Sequence, residues 1–170
     1  MNKIVLTGLT ACALALGACA KKTPPPVITP PVVEAPAKST DPNSLETVEL
    51  PAMQADLVAK AGSDTVYFGT DEASLDDAAR ATLTAEAKWL VAHPQVRASI
   101  EGHCDERGTR EYNVALGEKR ANAARDFLAS QGVPAARLVT TSWGKEKPVA
   151  TGSNEAAWAQ NRRQVTVIIR

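Results

Sequence analysis

The sequence has 170 residues, 44% of them hydrophobic, which is enough for one hydrophobic core and too little for two of comfortable size. Lysine and arginine together number 19, and so do aspartate and glutamate. This balance argues against a protein that binds nucleic acid or an anionic membrane through its overall charge.

The first 18 residues have the pattern of a secretory signal peptide. Lys3 provides a positive start, and the apolar run over residues 4–16 is shorter than the roughly 20 residues that a membrane-spanning helix needs. The tetrapeptide LGAC at residues 16–19 resembles a bacterial lipobox, which implies cleavage before Cys19 and a lipid on that residue. An ordinary secretory signal, cleaved elsewhere, is the alternative. Residue 20 is alanine and not the aspartate that retains lipoproteins in the inner membrane, so the resemblance predicts an outer-membrane anchor.

Residues 19–62 are predicted to be a flexible tether that begins at Cys19. Proline recurs along it, and because proline lacks a backbone N–H and fixes φ, it disfavours a continuous helix and favours polyproline II. The prolines are Pro24, Pro25, Pro26, Pro30, Pro31, Pro36, Pro42 and Pro51. A motif for a proline-binding partner is the alternative, but no basic or repeated PxxP pattern supports it. A short helix is predicted over residues 52–61, at the edge of the domain.

Strands alternate with helices along residues 63–170, the predicted folded domain. The strands are predicted at residues 65–68, 97–103, 138–143 and 165–169, from β-branched residues and alternating or continuous apolar runs. The first helix between them is capped by Ser74 or Asp76 and ends at Pro94, the second ends at Gly132, and the third is capped by Asn154. The apolar stripe of the first consists of Leu83, Ala87, Leu90 and Val91. This alternation predicts an α/β sandwich with helices on one or both faces of the sheet.

The segment EGHCDERGTREYNVALGEKR at residues 101–120 changes from a strand pattern to a helix pattern. Ahead of it, Val96, Ala98 and Ile100 alternate with polar residues, whereas later apolar residues recur at helical spacing. The helical set is Tyr112, Leu116, Ala123, Ala124 and Phe127. Arg120 lies within the same apolar arc, and it needs an anion because an unpaired buried charge is costly.

A polar loop over residues 104–110 joins this strand to this helix and contains Gly108. It places Asp105 at the end of the sheet where the helix begins. Asp105 and Arg120 could then flank one small site, with an acceptor on one side and a forked donor on the other. The alternatives are that the two residues pair with each other, or that Arg120 satisfies a nearby helix end.

Five segments carry a resemblance to a known family. They are VYFGTD at residues 66–71, EGHCDERGTREYN at 101–113, LGEKRAN at 116–122, SWGKEKP at 142–148 and QNRR at 160–163. In this order they resemble the core motifs of OmpA-like peptidoglycan-binding domains, and the resemblance covers about residues 64–170. It implies a βαβαβ–β sandwich with a mixed four-stranded sheet, in which the last strand is inserted antiparallel in the middle.

The resemblance also implies a ligand. In that family, the residues that match Asp105 and Arg120 hold the diaminopimelate side chain of the peptidoglycan stem peptide. The free end of diaminopimelate carries one ammonium and one carboxylate, which an anion and a forked cation complement. By the same matching, further peptidoglycan contacts are expected from Phe68, Gly69, Thr70, Asp71, Thr109, Asn113 and Arg162. Gly69 departs from the family, which commonly has aspartate after the residue matching Phe68.

A second partner is implied for the same region. In the family, the periplasmic β-propeller protein of the Tol system docks around residues 101–122, so that cell wall and protein would compete. The expected function is that of an outer-membrane lipoprotein that links this membrane to peptidoglycan during envelope constriction and cell division. The alternative is a passive OmpA-like structural or adhesion lipoprotein without Tol partners.

Catalysis and metal binding are not predicted. His103 and Cys104 are adjacent on a strand and point to opposite faces, and His93 is the only other histidine, so no zinc set is complete. No serine has a base beside it, and no cofactor is expected. Cys12 leaves with the signal and Cys19 is acylated, so Cys104 is interpreted as an unpaired, buried small hydrophobe.

Overall fold

The computed structural model of the protein describes residues 42–170, with side chains described from residue 49 onward. The predicted signal peptide, the predicted lipidation site at Cys19 and the predicted tether up to residue 41 lie outside the described residues. Within residues 42–170, no helix is both long and apolar enough to cross a membrane.

The described part is a mixed four-stranded sheet with helices. Its elements in chain order are α1 (Pro42–Ala61), β1 (Thr65–Tyr67), α2 (Asp77–Ala92), β2 (Arg97–His103), α3 (Arg110–Ser130), a 3-10 turn (Ala135–Arg137), β3 (Leu138–Gly144), α4 (Glu155–Asn161) and β4 (Arg163–Ile169). The strand order across the sheet is β1-β4-β2-β3. β2 and β3 are parallel, and β4 is antiparallel to both of its neighbours. The predicted fold, with the last strand in the middle of the sheet, is confirmed.

The three longer helices share one hydrophobic core on one face of the sheet. Ala98 and Ile100 of β2 are fully buried in this core, and Ile168 of β4 joins them. The helices contribute Leu57, Ala79, Leu83, Ala87, Trp89, Leu90, Ala121, Ala124 and Leu128. The other face carries Trp143, whose Nε1 donates a hydrogen bond to Glu101 at 2.7 Å. The alternation in β2 therefore predicted correctly which of its residues enter the core.

Helix α1 corrects the predicted boundary between tether and domain. It begins at Pro42, contains Pro51, and ends at Ala61. Leu57 on α1 is fully buried, and Leu50 and Met53 pack partly buried against the same core. Apolar residues at this helical spacing gain more by burial than the helix loses at its internal proline. Residues 42–61 are thus a helix and not a flexible segment, and its side chains described from residue 49 onward pack on the domain.

A side-chain clamp fixes α1 to the central strand. Gln54 donates from Nε2 to the backbone carbonyl of Thr166 at 2.9 Å. The same side chain accepts a hydrogen bond from the backbone N–H of Ile168 at 2.8 Å. Trp89 of α2 donates to Asp56 of α1 at 2.7 Å. These polar contacts and the core packing together hold α1 against β4 and α2.

The predicted N-terminal caps of α2 and α4 are confirmed, whereas one residue of α2 that was predicted to be buried is exposed. Asp76 caps α2 and Asn154 caps α4, each by accepting a hydrogen bond from a backbone N–H of the first turn. Val91, predicted within the apolar stripe of α2, is 49% exposed. The buried face of α2 instead includes Glu86, which is fully buried.

Helix α3 lies closer to the sheet than ordinary side chains would permit. A Cβ atom on Gly102 would overlap the carbonyl oxygen of Gly117, and a Cβ atom on Gly117 would overlap the hydroxyl of Ser142. This contact sets the rotation of α3, whose buried residues are Asn113, Leu116, Gly117, Arg120, Ala121, Ala124 and Leu128. Tyr112, predicted within the apolar arc, is consequently 51% exposed. The buried position predicted for Tyr112 is therefore wrong, whereas that of Arg120 is confirmed.

Candidate functional site

A cavity of about 200 Å³ opens where β2 ends and α3 begins. Of the predicted ligand residues, it brings together Thr70, Asp71, Asp105, Asn113, Arg120 and Arg162. Residues not predicted as ligand contacts complete its wall, namely Cys104, Arg107, Gly108, Tyr112 and Leu116. The close contact between Gly102 and Gly117 brings the first turns of α3 to the end of the strand. The cavity is therefore a product of how α3 packs on β2.

Arg120 is fully buried, and backbone oxygens surround its guanidinium. Its Nε donates to Glu72 O at 2.7 Å, its Nη1 to His103 O at 2.9 Å, and its Nη2 to Gly69 O at 3.0 Å. Nη1 also lies 3.4 Å from the Cys104 sulfur. Burial lowers the pKa of Arg120, but an arginine with this many acceptors stays charged.

These contacts answer the question of what balances Arg120. The sequence predicted an anion, and the structure supplies three carbonyl oxygens, two from the turn after β1 and one from the end of β2. A guanidinium has five N–H groups. Since four of them face protein acceptors, one Nη2 hydrogen remains for a ligand. Arg120 therefore links the turn after β1 to the end of β2 and offers a single donor.

Asp105 pairs with two other arginines and not with Arg120. Arg107 contacts both of its carboxylate oxygens, from Nε at 3.1 Å and from Nη2 at 2.7 Å, and Arg162 Nη1 lies 3.5 Å from Oδ2. The backbone N–H of Arg107 also donates to Oδ1 at 3.0 Å. Burial alone would raise the pKa of Asp105, but the hydrogen bonds and charge of Arg107, helped by Arg162, outweigh it and lower the pKa. Asp105 is therefore a carboxylate at neutral pH.

Arg162 and Arg107 differ in how freely they can move. The Arg162 side chain is 8% exposed and donates to Phe68 O at 3.1 Å and to Glu155 at 2.7 Å. The Arg107 side chain is 38% exposed, and its guanidinium lies over the Trp158 ring, 4.2 Å from the centroid. Among the residues that the structure describes, Arg107 is the one charged residue of the cavity wall that was not predicted from the sequence as a ligand contact. The available signal was its position two residues after Asp105 in a loop beside the sheet end.

A tight turn forms the outer wall of the cavity. The backbone N–H of Glu72 donates to Gly69 O at 3.3 Å, and Asp71, the third residue of this turn, has a φ of 61°. A positive φ at this position is typical of a type II turn, and aspartate tolerates it better than most residues. The hydroxyl of Tyr112 hydrogen-bonds to the Asp71 carboxylate. The exposed ring of Tyr112 thus joins the start of α3 to the turn.

Phe68 and Gly69, predicted as ligand contacts, do not line this cavity. Their carbonyl groups instead accept hydrogen bonds from two arginines that do line it. The Phe68 carbonyl accepts from Arg162, and the Gly69 carbonyl accepts from Arg120. Both residues border a neighbouring open cavity of about 380 Å³. The Glu72 carboxylate fills the space beside Gly69, because a Cβ atom there would lie 2.5 Å from Glu72 Oε2.

Thr109 and Asn113 shape the loop around the cavity. Thr109 caps α3 by accepting from the backbone N–H of Tyr112 at 3.2 Å, and it does not line the cavity. Asn113 is 2% exposed and donates to the carbonyls of Arg107 at 2.7 Å and Thr109 at 3.0 Å. The Asn113 amide therefore holds the loop that carries Arg107.

Cys104 and His103 are both 3% exposed and differ in surroundings. The Cys104 thiol donates to Asn113 O at 3.3 Å, and burial raises its pKa. Burial, reinforced by Arg163 and Lys147, lowers the pKa of His103 to about 4. Within residues 42–170, no group of three or more His, Cys, Asp or Glu side chains is arranged to hold a metal ion.

Known proteins share the sequence and the fold of the region that contains the cavity. The family model described as the OmpA family matches residues 67–162. The chain belongs to the OmpA family. The matched region contains the whole cavity, so the resemblance expected from the five sequence segments is confirmed at the level of the family.

Relatives in this OmpA family are identical to the chain at about half of the aligned positions. A peptidoglycan-associated lipoprotein of Agrobacterium fabrum is 53% identical over 118 residues, which cover 69% of this chain and 66% of that protein. One of Pseudomonas aeruginosa is 54% identical over 99 residues, 58% of either protein. The match thus spans just under two thirds of the Agrobacterium protein and less of the Pseudomonas protein.

Solved structures agree with the fold. The crystal structure of the peptidoglycan-associated lipoprotein from Burkholderia pseudomallei is similar with a TM-score of 0.62 and 49% sequence identity, covering 64% of this chain and 92% of that one. The C-terminal domain of Helicobacter pylori MotB gives a TM-score of 0.58 at 18% identity, covering 63% of this chain and 84% of that one. The second similarity concerns the fold alone.

Proposed function

We propose that the chain is a lipoprotein that binds peptidoglycan without catalysing a reaction, and that the cavity between β2 and α3 takes the free end of diaminopimelate. The observation that carries the proposal is the meeting of two carboxylates, those of Asp71 and Asp105, with three guanidinium groups in a cavity of about 200 Å³. A zwitterionic ligand end complements such a cavity, because its ammonium and its carboxylate each find an opposite charge. The identity of about one half to peptidoglycan-associated lipoproteins supports the same ligand class.

In this proposal, Asp105 accepts the ligand ammonium and Arg120 donates its remaining N–H to the ligand carboxylate. Thr70, Asp71, Asn113 and Arg162 lie in the same cavity wall and would surround the ligand. Phe68, Gly69 and Thr109 support the site, the first two by orienting arginines and Thr109 by starting α3.

Binding of purified peptidoglycan tests the proposal. The full-length protein is sedimented with insoluble peptidoglycan, and free diaminopimelate is added as a competitor. Co-sedimentation that diaminopimelate abolishes supports the assigned ligand. Co-sedimentation that the competitor leaves unchanged would move binding to another part of the chain.

We further propose attachment to the outer membrane through a lipid on Cys19, after removal of residues 1–18. Residues 20–41 would then connect the lipid to α1. Since no helix within residues 42–170 could span a membrane, Cys19→Ala is expected to release the protein from the membrane or leave an uncleaved precursor. Fractionation of the outer membrane checks this expectation. Mature Cys19→Ala protein that stays in the outer-membrane fraction would overturn it.

The proposed cellular role is a link between outer membrane and peptidoglycan that the Tol system regulates during cell division. The propeller protein of that system would dock on the loop and helix around residues 101–122, whose exposed members include Glu106, Arg107, Arg110 and Tyr112. Capture of the propeller protein by the purified chain, reduced by added diaminopimelate-containing peptide, would support competition for one surface. Peptidoglycan binding without capture would favour a passive structural lipoprotein.

A further inference from the structure

Arg107 occupies the place that the ligand ammonium needs. Its guanidinium contacts both oxygens of Asp105, at 3.1 and 2.7 Å, so an incoming ammonium meets a carboxylate that is already paired. The Arg107 side chain must therefore leave Asp105 before this carboxylate can accept a ligand. The departure does not strip Asp105 of support, because the backbone N–H of Arg107 and the Arg162 guanidinium remain beside it.

Few arginine N–H groups in the cavity wall are free to donate to the ligand carboxylate. Arg120 is fully buried, with four of its five N–H groups engaged by protein atoms. The Arg162 side chain is 8% exposed and held by Phe68, Asp105 and Glu155. Of the three arginines in the cavity wall, only Arg107 has an accessible fork, since its side chain is 38% exposed. A bidentate contact to a carboxylate needs such a fork.

We propose that Arg107 exchanges partners when ligand binds, leaving Asp105 for the ligand carboxylate and so opening Asp105 to the ligand ammonium. This inference rests on the proposed function of the cavity. The exchange conserves charge: one internal ion pair becomes two ion pairs with the ligand. The Trp158 ring, 4.2 Å from the Arg107 guanidinium, keeps the cation near the cavity during the exchange.

The exchange makes Arg107 a specificity-determining residue. A ligand with an ammonium and no carboxylate would displace Arg107 without giving it a new partner, so one ion pair would only replace another. The same holds for diaminopimelate whose carboxylate is amidated. Free diaminopimelate alone gains a pair, and the site therefore selects the free acid over lysine and over the amidated form.

The test compares three soluble stem peptides that carry diaminopimelate, amidated diaminopimelate or lysine at the same position. Their affinities are measured calorimetrically for the wild-type chain, Arg107→Gln and Arg107→Lys. The wild-type chain is expected to prefer the free acid by at least about tenfold. In Arg107→Gln this preference should fall to less than about threefold, with weaker binding of the free acid and equal or tighter binding of the lysine peptide. Arg107→Lys should lie between, since an ammonium lacks the fork.

Arg110→Gln is the matched control, because Arg110 is on the same loop-helix junction but outside the cavity and pairs with Glu146 at 3.3 Å. It should keep the wild-type preference. An equal loss for all three peptides in folded Arg107→Gln, judged by thermal melting, would make Arg107 structural and overturn the exchange. Tighter binding of all three peptides would mean that Arg107 only competes with the ligand for Asp105, and this result would also overturn the exchange. If the wild-type chain binds none of the three peptides, the proposed function fails together with the exchange. If the wild-type chain binds them and Arg107→Gln behaves otherwise than expected, the exchange fails alone.

Discussion

Arg120 and Glu86 are both fully buried, and their surroundings treat their charges in opposite ways. Three carbonyl oxygens and a thiol face the Arg120 guanidinium, so its charge is retained. Glu86 receives one hydrogen bond, from the Thr166 hydroxyl at 2.6 Å, and its other oxygen has no partner in the described part of the chain. Burial, which outweighs the Thr166 hydrogen bond, raises the pKa of Glu86 to about 8.

The difference shows that burial alone does not decide whether an ionisable side chain keeps its charge. The number of complementary groups that face it decides. Beside Glu86, the Gln164 oxygen also lacks a partner, so two acceptors lie in one cluster and a proton on Glu86 would turn one of them into a donor. The cavity at the end of β2 thus presents charged side chains, whereas the cluster of Glu86, Gln164 and Thr166 between α2 and β4 is neutral near pH 7.

The largest effect is expected from removing the charge that is fully partnered. Arg120→Met removes the guanidinium that donates to the carbonyls of Gly69, Glu72 and His103, and the free energy of unfolding should fall by about 3–5 kcal/mol. Urea unfolding measures this. Arg125→Met on the same helix is the control, because Asp126 is its one ion-pair partner within residues 49–170, and this variant should change stability by less than about 0.5 kcal/mol. A wild-type midpoint for Arg120→Met would mean that these hydrogen bonds hold little of the fold.

The next effect concerns the charge that is not partnered. Between pH 4.5 and 8, folded Glu86 holds a proton that the unfolded chain has released, so stability falls as pH rises through this range and levels off above it. His103, with a folded pKa of about 4 against 6.5, acts in the opposite direction below pH 6.5. From pH 6.5 to 8, the Glu86 contribution alone should therefore cost on the order of 2 kcal/mol.

Urea unfolding at pH 6.5, 7.25 and 8 compares the wild-type chain with Glu86→Gln, which keeps the shape and removes the titration. The variant should lose most of the fall in stability. Glu118→Gln, an exposed glutamate on α3, should retain it. Parallel pH curves for the wild-type chain and Glu86→Gln would show that Glu86 does not carry the predicted proton.

The spacing of apolar residues and the composition predicted the strands of the sheet well. They predicted less well which residues of the helices are buried. The almost continuous apolar run at residues 165–169 predicted the last strand, and the family resemblance placed it in the middle of the sheet, as observed. Tyr112 and Val91 were predicted as buried and are exposed, because helix rotation depends on contacts between distant residues such as Gly102 and Gly117. Helix α1 was missed up to residue 51 since its prolines outweighed its apolar spacing in the prediction.

For the site, the sequence predicted which residues meet but not how they pair. Resemblance to the family and helical spacing placed Asp105 and Arg120 in one cavity, as the structure has them. Their partners depend on the path of two loops, and neither loop has a periodic pattern. The pairing of Asp105 with Arg107, and of Arg120 with carbonyl oxygens, therefore lies beyond what spacing can predict.

A smaller effect on stability and a clear effect on binding are expected at Asp105. Asp105→Asn keeps hydrogen-bond acceptance but removes the charge, and peptidoglycan binding should weaken by roughly 10- to 150-fold. Stability should change by about 1 kcal/mol or less, because Arg107 is partly exposed and regains water. Sedimentation and thermal melting are measured on the same samples, with exposed Glu111→Gln as the control. Native-like melting with undiminished binding would contradict the ligand role of Asp105.

The smallest effect is expected at Cys104, which touches the cavity without a free charge. Its thiol donates to Asn113 O at 3.3 Å and lies 3.4 Å from Arg120 Nη1. It thus fills the space between Asn113 and Arg120, and both of these residues make further hydrogen bonds that do not involve the thiol. Cys104→Ala should lower stability by on the order of 1 kcal/mol and leave peptidoglycan binding nearly unchanged. Because burial raises the pKa of the thiol, alkylation of the folded wild-type chain should be slow and should become fast in urea. Cys104→Ser, which keeps a donor in a smaller side chain, separates the lost hydrogen bond from the lost volume. A folded Cys104→Ala protein that no longer binds peptidoglycan would give the thiol a direct part in the ligand site, and Arg120 would then depend on the sulfur for its position.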